Sequence, residues 1–331
     1  MIGKLLRSAA LSLTLATGLA GAAVAEDLKE LNFGIISTES SQNLKTVWQP
    51  FLDDMGKKLG MTVNPFFATD YAGVIEAMRF KKVDVAWYGN KAAIEAVDRA
   101  NGEVFVQSVA ADGSPGYWSL LIANKDNSKI NSVDDVIKYG KDLTFSNGDP
   151  NSTSGYLVPG YYVFGQNNID PKSYFKQTIS GNHESNALAV ANKQVDFATF
   201  NTENMAKLEK NFPDKAKQLK VIWKSPLIPS DPIVWRKDLS DGDKAKIKDF
   251  FLAYGVNGPD AAREKEVLAG LQWAPFKASS DDQLIPIRIL GLFKDRLAIV
   301  ADTTLAEADK KQKLAEIDAK LKEQQQKVAA Q

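Results

Sequence analysis

The sequence predicts an α/β protein with two lobes, each a mainly parallel sheet flanked by helices, joined by two chain crossings. Short apolar strands alternate with amphipathic helices in the first third of the chain, and this alternation typically builds a parallel sheet covered by helices. The same alternation returns after an apolar segment that leaves the first lobe. The length of 331 residues also favours two lobes, because it is large for a single hydrophobic core.

Residues 1–25 have the pattern of a secretory signal peptide. Lys4 and Arg7 form a cationic start, an apolar run follows at residues 9–20, and small residues end the segment at Ala25. A membrane anchor fits less well because the run is well short of the roughly 20 residues that span a bilayer. We therefore expect cleavage near Ala25/Glu26 and a periplasmic protein.

The composition excludes several classes of function. Without the leader, which holds two of the basic residues, 306 residues remain with 39 basic and 41 acidic side chains. Such a balanced charge argues against nucleic acid as a partner. The chain has no cysteine, and His183 is its single histidine, so thiolate metal sites, thiol nucleophiles and most histidine-based triads are excluded. We expect no metal and no cofactor.

The first lobe is predicted from residue 30 onward. Residues 30–36, 61–67 and 83–88 are short apolar strands, and the segments 44–59 and 71–80 between them repeat apolar residues at helical spacing. Ligands of such sheets bind at the loops that follow the strands. The loops predicted to border a cleft are 37–41, 68–73 and 87–91.

The second lobe repeats this order. An apolar strand at 117–123 is expected to cross into it, and strands at 143–145 and 195–199 enclose helical segments that include 187–192. The segment 226–234 crosses back and contains three stiffening prolines. The predicted divisions are a signal peptide at 1–25, lobe 1 at 26–122 plus 225–290, lobe 2 at 123–224, and a C-terminal helical extension at 291–331.

The C-terminal extension carries a narrow apolar stripe along a predicted helix from about residue 303 to 328. Two interpretations stand: the stripe packs on its own lobe, or it contacts a second copy of the chain in a homodimer. The stripe consists of Leu305, Ala308, Leu314, Ile317 and Leu321.

The segment 148–155, Gly-Asp-Pro-Asn-Ser-Thr-Ser-Gly, is the most informative stretch. Ser152, Thr153 and Ser154 lie between a predicted strand and a predicted helix, where hydroxyls and unpaired backbone amides can cradle an anion. The helix dipole adds partial positive charge there. One hydroxyl could simply cap the helix, which contributes about 1 kcal/mol. Three hydroxyls between glycines favour an anion site.

Five further residues are candidates for the same cleft. Tyr71 and Tyr117 could each wall a cleft and donate a hydrogen bond, and His183 lies in a polar loop before a helix. Glu203 follows a second-lobe strand and Asp231 lies in the return crossing. Taken singly, each aromatic residue could equally be core, each carboxylate a surface group, and the histidine an ordinary loop residue.

Seven runs of sequence together resemble one protein family, the phosphonate-binding component of bacterial ABC importers. The similarity covers nearly all of the chain after the signal peptide, with the last 30 or so residues least informative. Residues 127–139 and 170–176 depart from the family pattern. The matching runs are 31–40, 70–73, 85–90, 110–118, 148–155, 186–196 and 223–229.

The resemblance implies a two-lobed type II periplasmic-binding-protein fold and a role for each candidate residue. The phosphonate group would be bound by Tyr71, Ser152, Thr153, Ser154 and His183. The amino group of a ligand such as 2-aminoethylphosphonate would be bound by Tyr117, Glu203 and Asp231. The resemblance also implies a partner, the ABC permease in the inner membrane.

Three alternatives stay open at this point. A phosphite or inorganic phosphate binder would not need Glu203 and Asp231 facing the ligand. An enzyme is less favoured because the chain lacks a Walker-type phosphate loop, a G-x-S-x-G elbow and clustered metal ligands. A sensor lobe would need a transmembrane signalling domain, which the sequence does not provide.

Overall fold

The computed structural model describes residues 28–329, so the predicted signal peptide lies outside the described residues. In the first part of the chain the elements are β1 (Glu30–Ile35), α1 (Ser41–Leu59), β2 (Thr62–Phe67), α2 (Tyr71–Arg79), β3 (Val85–Trp87), α3 (Asn90–Arg99), β4 (Gly102–Ala110) and β5 (Gly116–Tyr117). The predicted order is confirmed from β1 to β3, with ends that differ by at most three residues, whereas α3 and β4 were not predicted.

The middle and last parts follow the same alternation. The middle elements are β6 (Ser119–Asn124), α4 (Val133–Tyr139), β7 (Thr144–Asn147), α5 (Pro171–Tyr174), β8 (Gln177–Ser180), α6 (His183–Ala191), β9 (Phe197–Asn201), α7 (Thr202–Asn211), α8 (Pro213–Ala216) and β10 (Leu219–Lys224). The last are β11 (Ile228–Pro229), β12 (Pro232–Arg236), α9 (Asp241–Ala253), α10 (Ala261–Gly270), β13 (Trp273–Ala278), α11 (Ile285–Ala301) and α12 (Glu307–Ala329).

Two sheets organise the described chain. We call the six-stranded sheet, in the order β13-β4-β12-β3-β1-β2, with its helices the first unit, and the five-stranded sheet, β10-β6-β9-β7-β8, with its helices the second unit. In each unit only the strands linked through helices pair in parallel: β1 with β2 and β3, and β7 with β8 and β9.

The expectation of mainly parallel sheets was therefore wrong in one respect, since both sheets are mixed. Strand β12 enters the first sheet from the return crossing and pairs antiparallel with β3 and β4. Strand β6, which enters the second sheet from the first crossing, pairs antiparallel with β9 and β10. A strand that arrives by a crossing has no βαβ connection to impose the parallel direction.

Helix α1 shows how the sequence determines the first core. It begins at Ser40, whose hydroxyl accepts a hydrogen bond from the Asn43 amide, and ends at Gly60, whose φ of 68° suits a left-handed cap. Its apolar residues at helical spacing are buried against the sheet, with Trp48 5.4 Å from the Phe33 ring and Phe51 buried beside it. The second unit has its own apolar core, in which Phe145 stacks on Phe197 at 4.5 Å.

The two crossings meet in a two-stranded antiparallel ribbon, in which Tyr117 pairs with Ile228 and Gly116 with Pro229. Sheet membership changes just after this ribbon, because β6 lies in the second sheet from Ser119 onward. That is before the predicted boundary at 122, and the lobe divisions as such stay a prediction. The ribbon packs on α11 through Ile287, which belongs to the same buried cluster as Tyr117 and Ile228.

Helices α11 and α12 form the C-terminal part of the described chain. Helix α12 buries Ile317 and Leu321, and Arg296 of α11 forms an ion pair with Asp318 of α12 at 2.8 Å. These contacts agree with the first interpretation of the apolar stripe, in which the helix packs on its own chain. Within residues 28–329, none of the helices combines the length and the apolar character needed to cross a membrane.

The ribbon generates a stability prediction at Gly116. A Cβ at this position would lie 1.9 Å from the Ile228 carbonyl oxygen, so Gly116→Ala must push the two crossings apart. We expect a loss of about 1–3 kcal/mol in the free energy of unfolding, as for other overpacked sites. Gly270→Ala is the control, because a Cβ there meets nothing within 4 Å. Urea denaturation followed by circular dichroism measures both; equal stability of the two variants would contradict the prediction.

Candidate functional site

A narrow cleft lies between the two units. The carboxyl ends of β1, β3 and β9 open onto it, as expected for sheets of this kind. The structure brings all eight predicted site residues to this cleft: Tyr71, Tyr117, Ser152, Thr153, Ser154, His183, Glu203 and Asp231. Nine further residues line the cleft without having been predicted as site residues, and the polar or aromatic ones among them are Thr38, Trp87, Asn201, Asn204, Lys207 and Trp273. Thr38 and Trp87 lie in loops that the sequence predicts to border the cleft.

The three hydroxyl residues begin a π-helical turn, Thr153–Leu157, rather than the α-helix that the sequence predicts. The Leu157 amide donates to the Ser152 carbonyl at 3.1 Å, which widens the turn. Gly148 lies against this turn, since its amide donates to the Gly155 carbonyl at 3.0 Å. A Cβ on Gly148 would lie 2.5 Å from that carbonyl oxygen, so glycine is required there.

Each of the three hydroxyl oxygens already accepts a hydrogen bond from an N–H group. The Gly155 amide donates to Ser152 at 2.9 Å and the Lys91 amide to Thr153 at 2.9 Å. The side-chain amide of Asn201 donates to Ser154 at 3.1 Å. A hydroxyl whose oxygen accepts one hydrogen bond can still donate its own proton to another acceptor. Ser152, Thr153 and Ser154, which we call the cradle, can therefore present three O–H donors to an anion.

Ser152 is therefore both a cap and a candidate ligand residue, because its oxygen caps the turn while its proton stays available. The first amides of the turn, those of Thr153 and Ser154, have no intrahelical acceptor and add two further donors. All three side chains are buried. The cradle is thus a set of fixed dipoles, with no cationic side chain of its own.

His183 is the first residue of helix α6 and not part of a loop, which corrects the sequence prediction. The helix begins earlier because the Asn182 side chain accepts from the Ser185 amide at 2.8 Å and so caps it. Burial, aided by the nearby charge of Lys207, lowers the pKa of His183 to about 3. The ring is therefore neutral at neutral pH.

In the neutral ring of His183, one of the two nitrogens is hydrogen-bonded to other side chains and the other is not. Its Nε2 atom lies 3.3 Å from the Asn201 side-chain amide, which donates to it, and 3.3 Å from the Ser154 hydroxyl. The ring proton is then on Nδ1, which has no hydrogen-bond partner within residues 28–329. The histidine can therefore offer a single N–H donor.

The other end of the cleft holds two carboxyl groups. Asp231 accepts from the Tyr117 hydroxyl at 2.9 Å and from the Trp87 indole at 3.2 Å. Burial raises the pKa of Asp231 well above its usual value, and the charge of Glu203 raises it further. Burial also raises the pKa of Glu203, against the opposing effect of Lys207. Two carboxylates at close quarters favour a cation between them.

The two tyrosines of the site stay protonated. Burial raises the pKa of Tyr71 well above its usual value, and Asp149 and Asp231 act in the same direction. Burial likewise raises the pKa of Tyr117, with Asp231 and Glu203 adding to the effect. Both phenols are therefore hydrogen-bond donors at neutral pH.

Lys207 is a cationic residue that the sequence analysis did not identify. It lies on α7 of the second unit, and its ammonium group is 2.7 Å from the Glu39 carboxylate of the first unit. The exposed fractions of the two side chains are 14% and 3%, so this ion pair is buried between the units. From sequence alone, Lys207 looks like a solvent-exposed residue of an amphipathic helix. Its partner Glu39 is 168 residues away in the chain, so no local pattern indicates the ion pair.

Other hydrogen bonds also join the units across the cleft. The Tyr71 amide donates to Asp149 at 3.1 Å, and the Asn43 side chain donates to Glu184 at 2.5 Å. Together with the bond from the Lys91 amide to Thr153 they hold the units in a closed arrangement. The cradle is thus completed by groups from both units.

The buried pair predicts a uniform effect on ligand binding. Glu39→Gln leaves Lys207 buried without its counter-ion, and this cost applies only when the units are together. We expect affinity for every ligand to fall by about 10²-fold or more, with little change in the ratio between ligands. Asp126→Asn is the matched control, because its pair with Lys193 is exposed and lies within one unit. Titration calorimetry measures both, and an affinity loss no larger than that of the control would contradict the prediction.

Comparisons with known proteins show which family the chain belongs to. A sequence profile described as "ABC transporter, phosphonate, periplasmic substrate-binding protein" matches residues 33–284. The phosphonates-binding periplasmic protein of Escherichia coli K12 is 63% identical over 308 residues, which cover 93% of this chain and 89% of that protein.

Solved structures also resemble this chain. The binding protein component of a Pseudomonas aeruginosa ABC phosphonate transporter is 62% identical, with a TM-score of 0.89 over 92% of this chain and 99% of that one. A Prochlorococcus marinus protein in complex with methylphosphonate shares the fold at 24% identity, with a TM-score of 0.69 over 80% of this chain and 97% of that one. The predicted type II fold is confirmed, and the chain belongs to the family of periplasmic phosphonate-binding proteins of ABC transporters.

Proposed function

We propose that this protein binds 2-aminoethylphosphonate and other alkylphosphonates and delivers them to the permease of an ABC importer. In this proposal the chain is exported, its leader is removed near Ala25/Glu26, and it acts as a carrier without catalysis. The proposal rests on one observation, which is that the two ends of the cleft differ in chemistry. A cradle of neutral donors lies at one end and two carboxyl groups lie at the other.

The donor end matches a phosphonate group. The hydroxyls of Ser152, Thr153 and Ser154 each keep a proton for a ligand oxygen, because their own oxygens accept from N–H groups. Tyr71 and the Nδ1 proton of His183 would add two further donors. Neutral donors fixed in place can stabilise an oxyanion without a paired cation, since they need no reorganisation when it binds.

The carboxyl end matches a ligand ammonium group. Asp231 is held in position by Tyr117 and Trp87, and Glu203 lies close enough to raise its pKa. An ammonium group between the two carboxylates would lower both pKa values again, so the ligand amine and the carboxylates favour one another's charged forms. The Tyr117 phenol would lie beside the amine.

Relative to an amino-bearing phosphonate, the same end disfavours phosphite and inorganic phosphate, the alternatives that the sequence left open. Neither anion has a cation to place between Glu203 and Asp231, so the two carboxyl groups would face further negative charge or remain protonated. Selectivity for an amino-bearing ligand would then come from both attraction and repulsion.

Closure of the two units is the proposed signal to the permease. A phosphonate that contacts Tyr71 and Asp231 on the first unit, and the cradle and Glu203 on the second, stabilises the closed arrangement. The Glu39–Lys207 pair would contribute to this closure for every ligand.

A ratio of affinities tests the proposed function. We expect Glu203→Gln combined with Asp231→Asn to lower affinity for 2-aminoethylphosphonate by about 10²- to 10³-fold, because the bound ammonium group loses its partners. Affinity for methylphosphonate should stay the same or rise, because two unpaired negative charges are removed. Titration calorimetry of parent and variant with both ligands gives the ratio.

Two outcomes would contradict the proposed function. If both phosphonates weaken equally in the double variant, the carboxyl groups have a structural role and no ammonium group binds there. If the parent binds phosphite or phosphate more tightly than either phosphonate, the ligand class itself is wrong.

We also propose a homodimer through helix α12, as the second interpretation of its apolar stripe. Leu305 and Leu314 of the stripe are only half-buried against their own chain and Ala308 is exposed, so part of the stripe is available to a second copy. We expect sedimentation of the full chain to show a dimer that Leu314→Glu converts to a monomer with phosphonate binding retained. A monomeric parent at high concentration would end the proposal.

A further inference from the structure

Thr38 follows strand β1 and lines the same cleft as the predicted site residues. Its backbone is fixed on both sides, because its amide donates to the Ile36 carbonyl at 2.9 Å and its carbonyl accepts from the Glu184 amide at 3.3 Å. The side chain is only 4% exposed. Its Oγ1 atom has no hydrogen-bond partner within the described part of the chain.

An unpartnered buried hydroxyl is unusual, because burial of such a group without a hydrogen bond costs stability. Three buried side-chain atoms lack a polar partner among the described residues, and two of them, Thr38 Oγ1 and His183 Nδ1, belong to residues that line this cleft. The third is an oxygen of Asp243, a carboxylate whose second oxygen accepts the Leu28 amide. The unsatisfied polar groups thus coincide with the site.

The position of Thr38 indicates which end of the ligand it meets. Strand β1 lies between β2 and β3, so Thr38 is next to the loop that leads to Tyr71 on one side and, on the other, to Trp87, which donates to Asp231 at the carboxyl end. Its carbonyl contacts Glu184, the residue after His183. Tyr71 and His183 are both residues that we assign to the oxyanion.

We propose that Thr38 is a further ligand-binding residue, which donates its hydroxyl proton to a phosphonate oxygen from the first unit. This inference rests on the proposed function, because it takes the ligand to be a phosphonate. The cradle supplies hydroxyl donors from the second unit, and Thr38 supplies a donor from the first unit in addition to the Tyr71 phenol. The oxyanion would then be bound by hydroxyl groups of both units, which links its recognition to closure.

The experiment compares Thr38→Val, which keeps the shape of the side chain and removes the hydroxyl, with Thr38→Ser, which keeps the hydroxyl. Titration calorimetry with 2-aminoethylphosphonate and methylphosphonate should show a loss of about 10- to 100-fold for both ligands in Thr38→Val, the range expected for a hydrogen bond to a charged group. Thr38→Ser should recover most of that loss. Thr46→Val, at an exposed threonine of α1, is the matched control and should bind like the parent.

Thermal unfolding of the ligand-free variants supplies a second measurement. Thr38→Val should be at least as stable as the parent, because it removes an unsatisfied buried hydroxyl, whereas a structural threonine would lose stability. The combination of unchanged or higher stability with weaker binding supports the inference.

Three results would overturn the inference, and each differs from failure of the proposed function. Binding of both phosphonates by Thr38→Val at parental affinity would remove Thr38 from the site. A loss confined to 2-aminoethylphosphonate would place the residue at the amine end. A loss of stability with unchanged affinity would give the threonine a structural role. Failure of the parent itself to bind either phosphonate would instead contradict the proposed function.

Discussion

The site depends on one constraint: the cradle offers an anion neutral hydrogen-bond donors and no full positive charge. The hydroxyls of Ser152, Thr153 and Ser154 are oriented by N–H groups that donate to their oxygens. One of these N–H groups, the Lys91 amide, belongs to the first unit. The orientation of the Thr153 hydroxyl therefore requires that the units be closed. The π-helical turn, and Gly148 that lies against it, must also keep their backbone geometry.

The charged groups are arranged so as not to disturb this cradle. Lys207 is the one lysine or arginine among the described residues that line the cleft, and it is paired with Glu39 across the units. It also opposes the rise in the pKa values of Glu203 and Asp231 that burial causes. Lys207 thus stabilises the closed arrangement of the units and limits the rise in the pKa values of the two carboxyl groups. His183 is neutral and can still donate a hydrogen bond.

Much of the fold and the site could be predicted from sequence because the signals are local. The apolar spacing of α1 and the alternation of strands and helices follow from nearby residues, and the hydroxyl run between glycines marks the cradle directly. The start of α6 could also have been recognised, since Asn182 is a good N-cap and Glu184 suits the first turn.

The features that were missed depend on distant parts of the chain. The antiparallel placement of β12 is set by the crossing, and the burial of Lys207 is set by Glu39 in the other unit. Thr38 lies in a loop that the sequence predicts to border the cleft, but nothing in the sequence separates it from its neighbours in that loop. Its buried, unpartnered hydroxyl is seen only in the structure, where its carbonyl accepts from the Glu184 amide of the other unit.

The aromatic core of the first unit reaches into the cleft, and this gives the protein an intrinsic optical reporter. Trp48 lies 5.5 Å from Trp87, and Trp87 lies 5.7 Å from Trp273. Trp87 also donates to Asp231, and Lys207 of the other unit lies 5.8 Å from its ring. Any movement between the units changes the charge and solvent next to an indole that is packed between two others. Opening and closing should therefore be visible in the emission of the unlabelled protein.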